Sequence, residues 1–235
     1  MVKHIKRLSL LIVMLTSSVA FAQAQNNTTN AIYIEQVGDT STIAVTQEGD
    51  GNQLGASGSD FNLVGDNQII TIFQQGPRNI MNGYIRNGDN VTFNAQQLGF
   101  DNTATINMGN GASVAGTIFN LDVFGNGNST TFTQGAVSSA VNATLNYTFT
   151  GDLNTMTSTI ESENVTNTFD VTGNQNTITT LQNGYTDKNI ALNLLGSYNN
   201  ISINQTSQSN VDTLVLDSTS SNSTITINQC NSGGC

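Results

Sequence analysis

The stretch EQVGDTSTIAVTQEGDGNQL, residues 35–54, carries one phrase twice, as Gln36-x-Gly38-x-x-Ser41-x-Ile43 and as Gln47-x-Gly49-x-x-Asn52-x-Leu54. Apolar and polar residues alternate through Ile43, Val45 and Gln47, which is the period of a strand with one buried face. Gln47 shares the parity of Ile43 and Val45, and Gln36 that of Ile32 and Ile34, so both amides are expected to point inward. The step from Gly49 to Asn52 is three residues, which reverses parity across a tight corner. Asn52 is therefore expected to point inward as well, where its amide satisfies corner backbone groups. Glycine at the corner is expected to supply a positive φ.

The phrase continues down the chain. Gln74-x-Gly76-x-x-Asn79 and Gln97-x-Gly99-x-x-Asn102 keep it whole. Val123-x-Gly125-x-x-Asn128, Phe149-x-Gly151-x-x-Asn154, Val171-x-Gly173-x-x-Asn176 and Leu194-x-Gly196-x-x-Asn199 replace the first Gln by an apolar residue. The last of these runs on through Ile201 and Ile203 to Gln205, and a worn final copy reads Ser223-x-Ile225-x-Ile227-x-Gln229. Successive corner glycines from Gly49 to Gly196 lie 27, 23, 26, 26, 22 and 23 residues apart, with weaker corners expected at Gly65, Gly88, Gly111, Gly135 and Gly184. A unit of strand, corner, strand and corner cannot bury its apolar face alone and must stack on copies of itself. The fold expected is therefore all-β, a β-solenoid of about eight strand-turn-strand repeats. Rungs about 4.8 Å apart would align inward Gln and Asn into ladders, each amide satisfied by its copies above and below.

Ahead of the repeats stand Lys3, Lys6 and Arg7, an apolar run, and Ala20-Phe21-Ala22, which together read as a secretory signal over residues 1–22. Residues 23–30 are then a short N-terminal segment, 31–229 the repeat solenoid and 230–235 a cysteine-containing tail. Removing the leader leaves Arg78, Arg86 and Lys188 against sixteen acids, a net charge of three minus sixteen, or −13. So acidic a chain does not seek phosphate backbones, which argues against nucleic acid as a partner. The leader's apolar run is too short to span a membrane, and no second long apolar run exists, so membrane insertion is not expected.

EQVGDTSTIAVTQEGDGNQL and AQQLGFDNTATI resemble the curlin repeat of curli-type amyloid subunits, both the major and the minor, nucleating kind. The resemblance spans most of the chain. It implies export, passage through an outer-membrane secretion pore, association with a related subunit, and assembly outside the cell into amyloid fibres of a biofilm matrix. The alternative carried beside it is a monomeric solenoid acting as an adhesin or as an ice-binding surface through outward threonines.

Enzymatic chemistry is not expected, since the mature chain has no His and its acids are scattered. No cofactor is implied. Asp39, Asp66 and Asp89 each follow a corner glycine, and stacked carboxylates there would suit Ca²⁺. Asp is also an ordinary turn residue, and that reading is preferred. Cys230 and Cys235 are the only cysteines. In an exported chain they are expected to join in a small disulfide ring, with linkage between subunits as the alternative.

Overall fold

The structure is a computed structural model and describes residues 19–25, 30–37, 42–56, 61–84, 88–107, 114–116, 118, 120–133, 140–162, 164–184, 187–206 and 211–230. The chain winds as an all-β parallel solenoid of about seven turns, close to the eight repeats expected. One broad face is a nine-stranded parallel sheet. Its strands are Ala31–Ile32, Gln53–Leu54, Ile80–Met81, Thr103–Thr105, Ser129–Thr133, Thr155–Ser162, Thr177–Gly184, Asn200–Gln205 and Thr224–Gln229. The first begins directly after Asn30, the last after Ser223, and each of the others directly after the Asn of the repeated phrase.

Register is kept step by step: Thr155 lies against Thr177, Thr177 against Asn200, and Asn200 against Thr224. A slip of one residue would turn every inward side chain to solvent, so the apolar parity selects this register. Inward positions fill one continuous core that runs from Ile32, Leu54 and Met81 to Ile178 and Ile201.

The opposite face starts with a three-stranded sheet, Val19–Gln25, Thr42–Glu48 and Ile69–Gln74, and ends with Lys188–Leu194 paired to Asp212–Ser218. The boundary expected at Ala22 falls inside the first of these strands, where Val19 pairs with Thr42 and Gln25 with Glu48. Among the described residues, strand pairing thus extends ahead of residue 31, back to Val19. Between these two sheets, residues 91–97, 120–125, 144–150 and 167–172 stay in register through bonds such as Leu121 N–H to Asn146 O at 2.8 Å. Positive φ at Ala95, Gln97, Leu121, Val123, Tyr147 and Thr172 turns peptide groups off the regular ladder there. Their inward side chains remain stacked: Tyr147 and Phe169 lie 4.9 Å apart and Phe132 meets Tyr147 edge-on at 6.2 Å. Burial pushes the Tyr147 phenol up from its ordinary range.

Candidate functional site: stacked amides, corners and the last rung

The asparagines of the phrase form a continuous ladder. Asn30 Oδ1 accepts from the Asn52 N–H at 2.8 Å, Asn52 Oδ1 from Asn79 N–H at 2.9 Å, and Asn79 Oδ1 from Asn102 N–H at 3.1 Å. The same bond joins Asn102 to Asn128, Asn128 to Asn154, Asn154 to Asn176 and Asn176 to Asn199, at 2.8–3.0 Å. Side-chain amides add their own donors, as when Asn176 Nδ2 reaches Asn154 Oδ1 at 3.1 Å and Gly196 O at 2.9 Å. Each Asn thus satisfies a backbone N–H one rung further on. The series ends at Ser223, whose N–H donates to Asn199 Oδ1 at 2.9 Å while its hydroxyl turns to Ser220.

Glutamine behaves differently from the expectation. Gln36, Gln47, Gln74 and Gln97 are all buried, as their parity required. Gln74 and Gln97 are joined directly, Gln97 Nε2 donating to Gln74 Oε1 at 2.8 Å. Gln74 Nε2 goes to the Gln53 carbonyl, and Gln47 Oε1 and Gln97 Oε1 are buried without a hydrogen-bond partner. Gln47 goes unserved because its neighbour Gln74 turns its Nε2 to the Gln53 carbonyl, and Gln97 because the column continues as Val123, Phe149, Val171 and Leu194, all buried and unable to donate. A second glutamine ladder closes the chain. Gln182 Nε2 donates to Gln205 Oε1 at 2.9 Å, and Gln205 Nε2 to Gln229 Oε1 at 2.7 Å.

The corners correct the role given to glycine. Gly49 and Gly76 do have positive φ, at 97° and 82°, but Gly99, Gly125, Gly151, Gly173 and Gly196 do not. The left-handed residue is instead two positions on: Gly51, Arg78, Asp101, Gly127, Leu153, Gln175 and Tyr198, with φ between 55° and 72°. What the corner glycines provide is close stacking. A Cβ on Gly99 would fall under 3.0 Å from Gly125 backbone, one on Gly125 as close to Gly151, and so along the column to Gly196 against Ser220. Gly38 lies outside the described residues. At the second corner Gly65 has positive φ, 122°, and the left-handed residues are Asn67, Asn90, Gly116, Asn142 and Asn164. Of the glycines expected to mark it, Gly65 and Gly88 lie two residues before Asn67 and Asn90, and Gly184 ends a strand. Gly111 and Gly135 fall outside the described residues.

Charge is sparse and local. Arg78 and Asp101 form a two-pronged ion pair between adjacent corners, with Nε to Oδ1 at 2.6 Å and Nη2 to Oδ2 at 2.7 Å. The guanidinium holds the Asp101 carboxyl below its ordinary range, and Asp101 in turn raises Arg78. Asp66 and Asp89 precede the left-handed Asn67 and Asn90, and the rung after Asp89 has Ala115 opposite it. Asp39 lies outside the described residues. Among the described residues no three His, Cys, Asp or Glu side chains cluster, and no helix is long and apolar enough to cross a membrane.

Sequence reading missed an internal ion pair, Lys188 Nζ to Asp212 Oδ2 at 3.4 Å, with the Lys188 side chain fully buried. Its signal was present in parity, since Lys188 alternates in phase with Ile190, Leu192 and Leu194. A pair desolvated at this depth is costly unless both partners are in place, so it penalises slipped registers of the last turn. Cys230 is disulfide-bonded. Cys235, its expected partner, lies outside the described residues.

Among the described residues the last rung is left uncovered. Leu214, Leu216, Ile225 and Ile227 pack against the core yet stay partly exposed, whereas Ile201 and Ile203 one rung inside are buried. The strand Thr224–Gln229 is an edge of the nine-stranded sheet. Comparison with protein-family models, with curated proteins and with solved structures returned no match.

Proposed function

We propose that the chain is an exported structural subunit that adds to its own kind end to end, building extracellular amyloid-type fibres for a biofilm matrix or surface adhesion. The observation that carries this reading is the open last rung, an edge strand over half-covered Leu214, Leu216, Ile225 and Ile227. Such an edge templates the pairing of another chain. The curlin-type phrase supports it, and by that likeness a related subunit and an outer-membrane secretion pore are its further partners. Chemistry on a substrate plays no part in this proposal.

Purified protein lacking residues 1–22 and freed of denaturant is expected to form fibres with a meridional repeat of about 4.8 Å along the fibre axis. Electron microscopy and fibre diffraction check this, and a monomer persisting for days at tens of micromolar would reject it. Growth is expected to quicken on acidification, for two reasons. Protonation relieves the repulsion among sixteen acids. Burial also raises Asp122, so its contribution to the fold is full at low pH and is lost as pH rises through its folded pKa. Asp101 has the opposite sign, since its stabilisation is present above its unfolded pKa and lost as pH falls through the lowered one. That pair is solvent-exposed and weakly stabilising, so acceleration dominates.

One observation favours the second reading, an ice-binding surface. The Thr-x-Thr pattern is irregular along the chain because rung lengths differ, but register aligns it. One outward column runs Thr103, Ser129, Thr155, Thr177, Asn200, Thr224, and its neighbour Thr105, Thr131, Thr157, Thr179, Ser202, Thr226. The array is uncharged, with rungs about 4.8 Å apart and successive outward residues roughly 6.6 Å apart along each strand. Ice recrystallisation assays test it: inhibition that disappears in Thr157→Tyr supports the reading, and no inhibition by the parent protein removes it.

A further inference from the structure

The two edges of the nine-stranded sheet carry the same inward phrase. The first rung reads Ala31-Ile32-Tyr33-Ile34-Glu35-Gln36 and the last Thr224-Ile225-Thr226-Ile227-Asn228-Gln229, each presenting Ile-x-Ile-x-Gln to the core. Asn200–Gln205 carries it too, and there the structure shows how two such rungs stack. Ile201 lies on Ile225, Ile203 on Ile227 and Gln205 on Gln229. Interior rungs differ: the equivalent residues are Ala104 and Ile106, Thr130 and Phe132, Met156 and Ser158, or Ile178 and Thr180.

The hydrogen bonds have a direction that points beyond the chain. Gln182 Nε2 donates to the Lys188 carbonyl and to Gln205 Oε1, and Gln205 Nε2 to the Asn189 carbonyl and to Gln229 Oε1. Gln229 repeats the first half of this arrangement, donating to the Thr213 carbonyl at 3.0 Å. The second N–H of such an amide is the one that serves the glutamine of the following rung.

We propose that this following rung belongs to a second copy of the chain, and that its register is Thr224 against Ala31. Ile225 and Ile227 are then covered by Ile32 and Ile34 of the other copy, and Gln229 donates to its Gln36. The inference rests on the fibre reading and adds the joint to it. The strand Val19–Gln25 lies on the opposite face and leaves Ala31–Ile32 as the receiving edge. Pairing of an edge strand with a partner's edge supplies backbone bonds, while the alternate inward pockets set the register.

This register places two exposed outward side chains opposite each other across the joint, Asn228 of one copy and Glu35 of the next. Asn228→Glu therefore sets two carboxylates side by side, and seeded fibre growth is expected to slow by roughly fivefold at low salt. Adding Glu35→Lys to the same chain converts the repulsion into an ion pair and is expected to restore growth. Asn204→Glu, one rung inside, serves as the control and is not rescued by Glu35→Lys. Circular dichroism of each soluble variant checks that its rungs are formed. If fibres grow but Asn228→Glu is indifferent, or its slowing is not relieved by Glu35→Lys, the register is wrong while the fibre reading stands. If the parent protein forms no fibres, both fall together.

Discussion

Asn176→Ala is expected to lower stability by about 3 kcal/mol, because the change strips a buried rung-to-rung link and leaves its partners unsatisfied. Asn176 Oδ1 accepts from both the backbone N–H and the Nδ2 of Asn199 at 3.0 Å, and its own Nδ2 serves Asn154 Oδ1 and the Gly196 carbonyl. Alanine removes all four bonds at a position that is 1% exposed. The Asn199 N–H has no route to water, so its loss is larger than that of an average hydrogen bond. For a chain of this size the thermal midpoint would fall by roughly 6–12 °C. Thermal or urea unfolding followed by circular dichroism measures the change, with outward Thr105→Ser as a control within about 0.5 kcal/mol of the parent. An Asn176→Ala midpoint equal to that of the control would show that the ladder contributes nothing to stability.

Gly99→Ala is expected to be at least as damaging, above about 3 kcal/mol, because the obstacle is backbone and cannot repack. Its new Cβ would lie 2.7 Å from the Gly125 carbonyl carbon and closer still to that carbonyl oxygen and the Asn126 side chain. Relief requires the two rungs to separate at the corner, which stretches the neighbouring Asn102 to Asn128 bond of 2.9 Å. Since Gly99 does not have positive φ, valine is worse than alanine by bulk and not by backbone preference. The discriminating comparison is Gly51→Ala, at φ 72°, where an alanine adopts the left-handed region at a cost of roughly 1–2 kcal/mol. If Gly99→Ala proves milder than Gly51→Ala in urea unfolding, the close-stacking account of the corner fails.

Much of this was legible in the sequence, since parity needs no partner to be read. Alternation in Ile43, Val45 and Gln47 requires one inward face whatever covers it, and the three-residue step from Gly49 to Asn52 turns the chain while keeping Asn52 inside. The all-β solenoid, its approximate repeat count and the inward Asn and Gln all follow from that local pattern. Three things depended on the stack. The corner glycines look locally like suppliers of positive φ, yet Gly99 and its successors are needed because the next rung's carbonyl leaves no room for a Cβ, a contact made between residues more than twenty positions apart. Gln74 and Gln97 read alike along the chain, but whether an amide oxygen is satisfied depends on its column neighbour: Gln97 donates to Gln74 Oε1, and Val123 cannot donate to Gln97 Oε1. The threonines look scattered in a linear reading because rungs differ in length; only the register brings Thr131, Thr157 and Thr179 into line. Sequence alone therefore determined which way each side chain points, a property of the strand it sits in. Tertiary structure decided what each one meets, because in a solenoid the nearest neighbours are set by winding and lie a whole turn away.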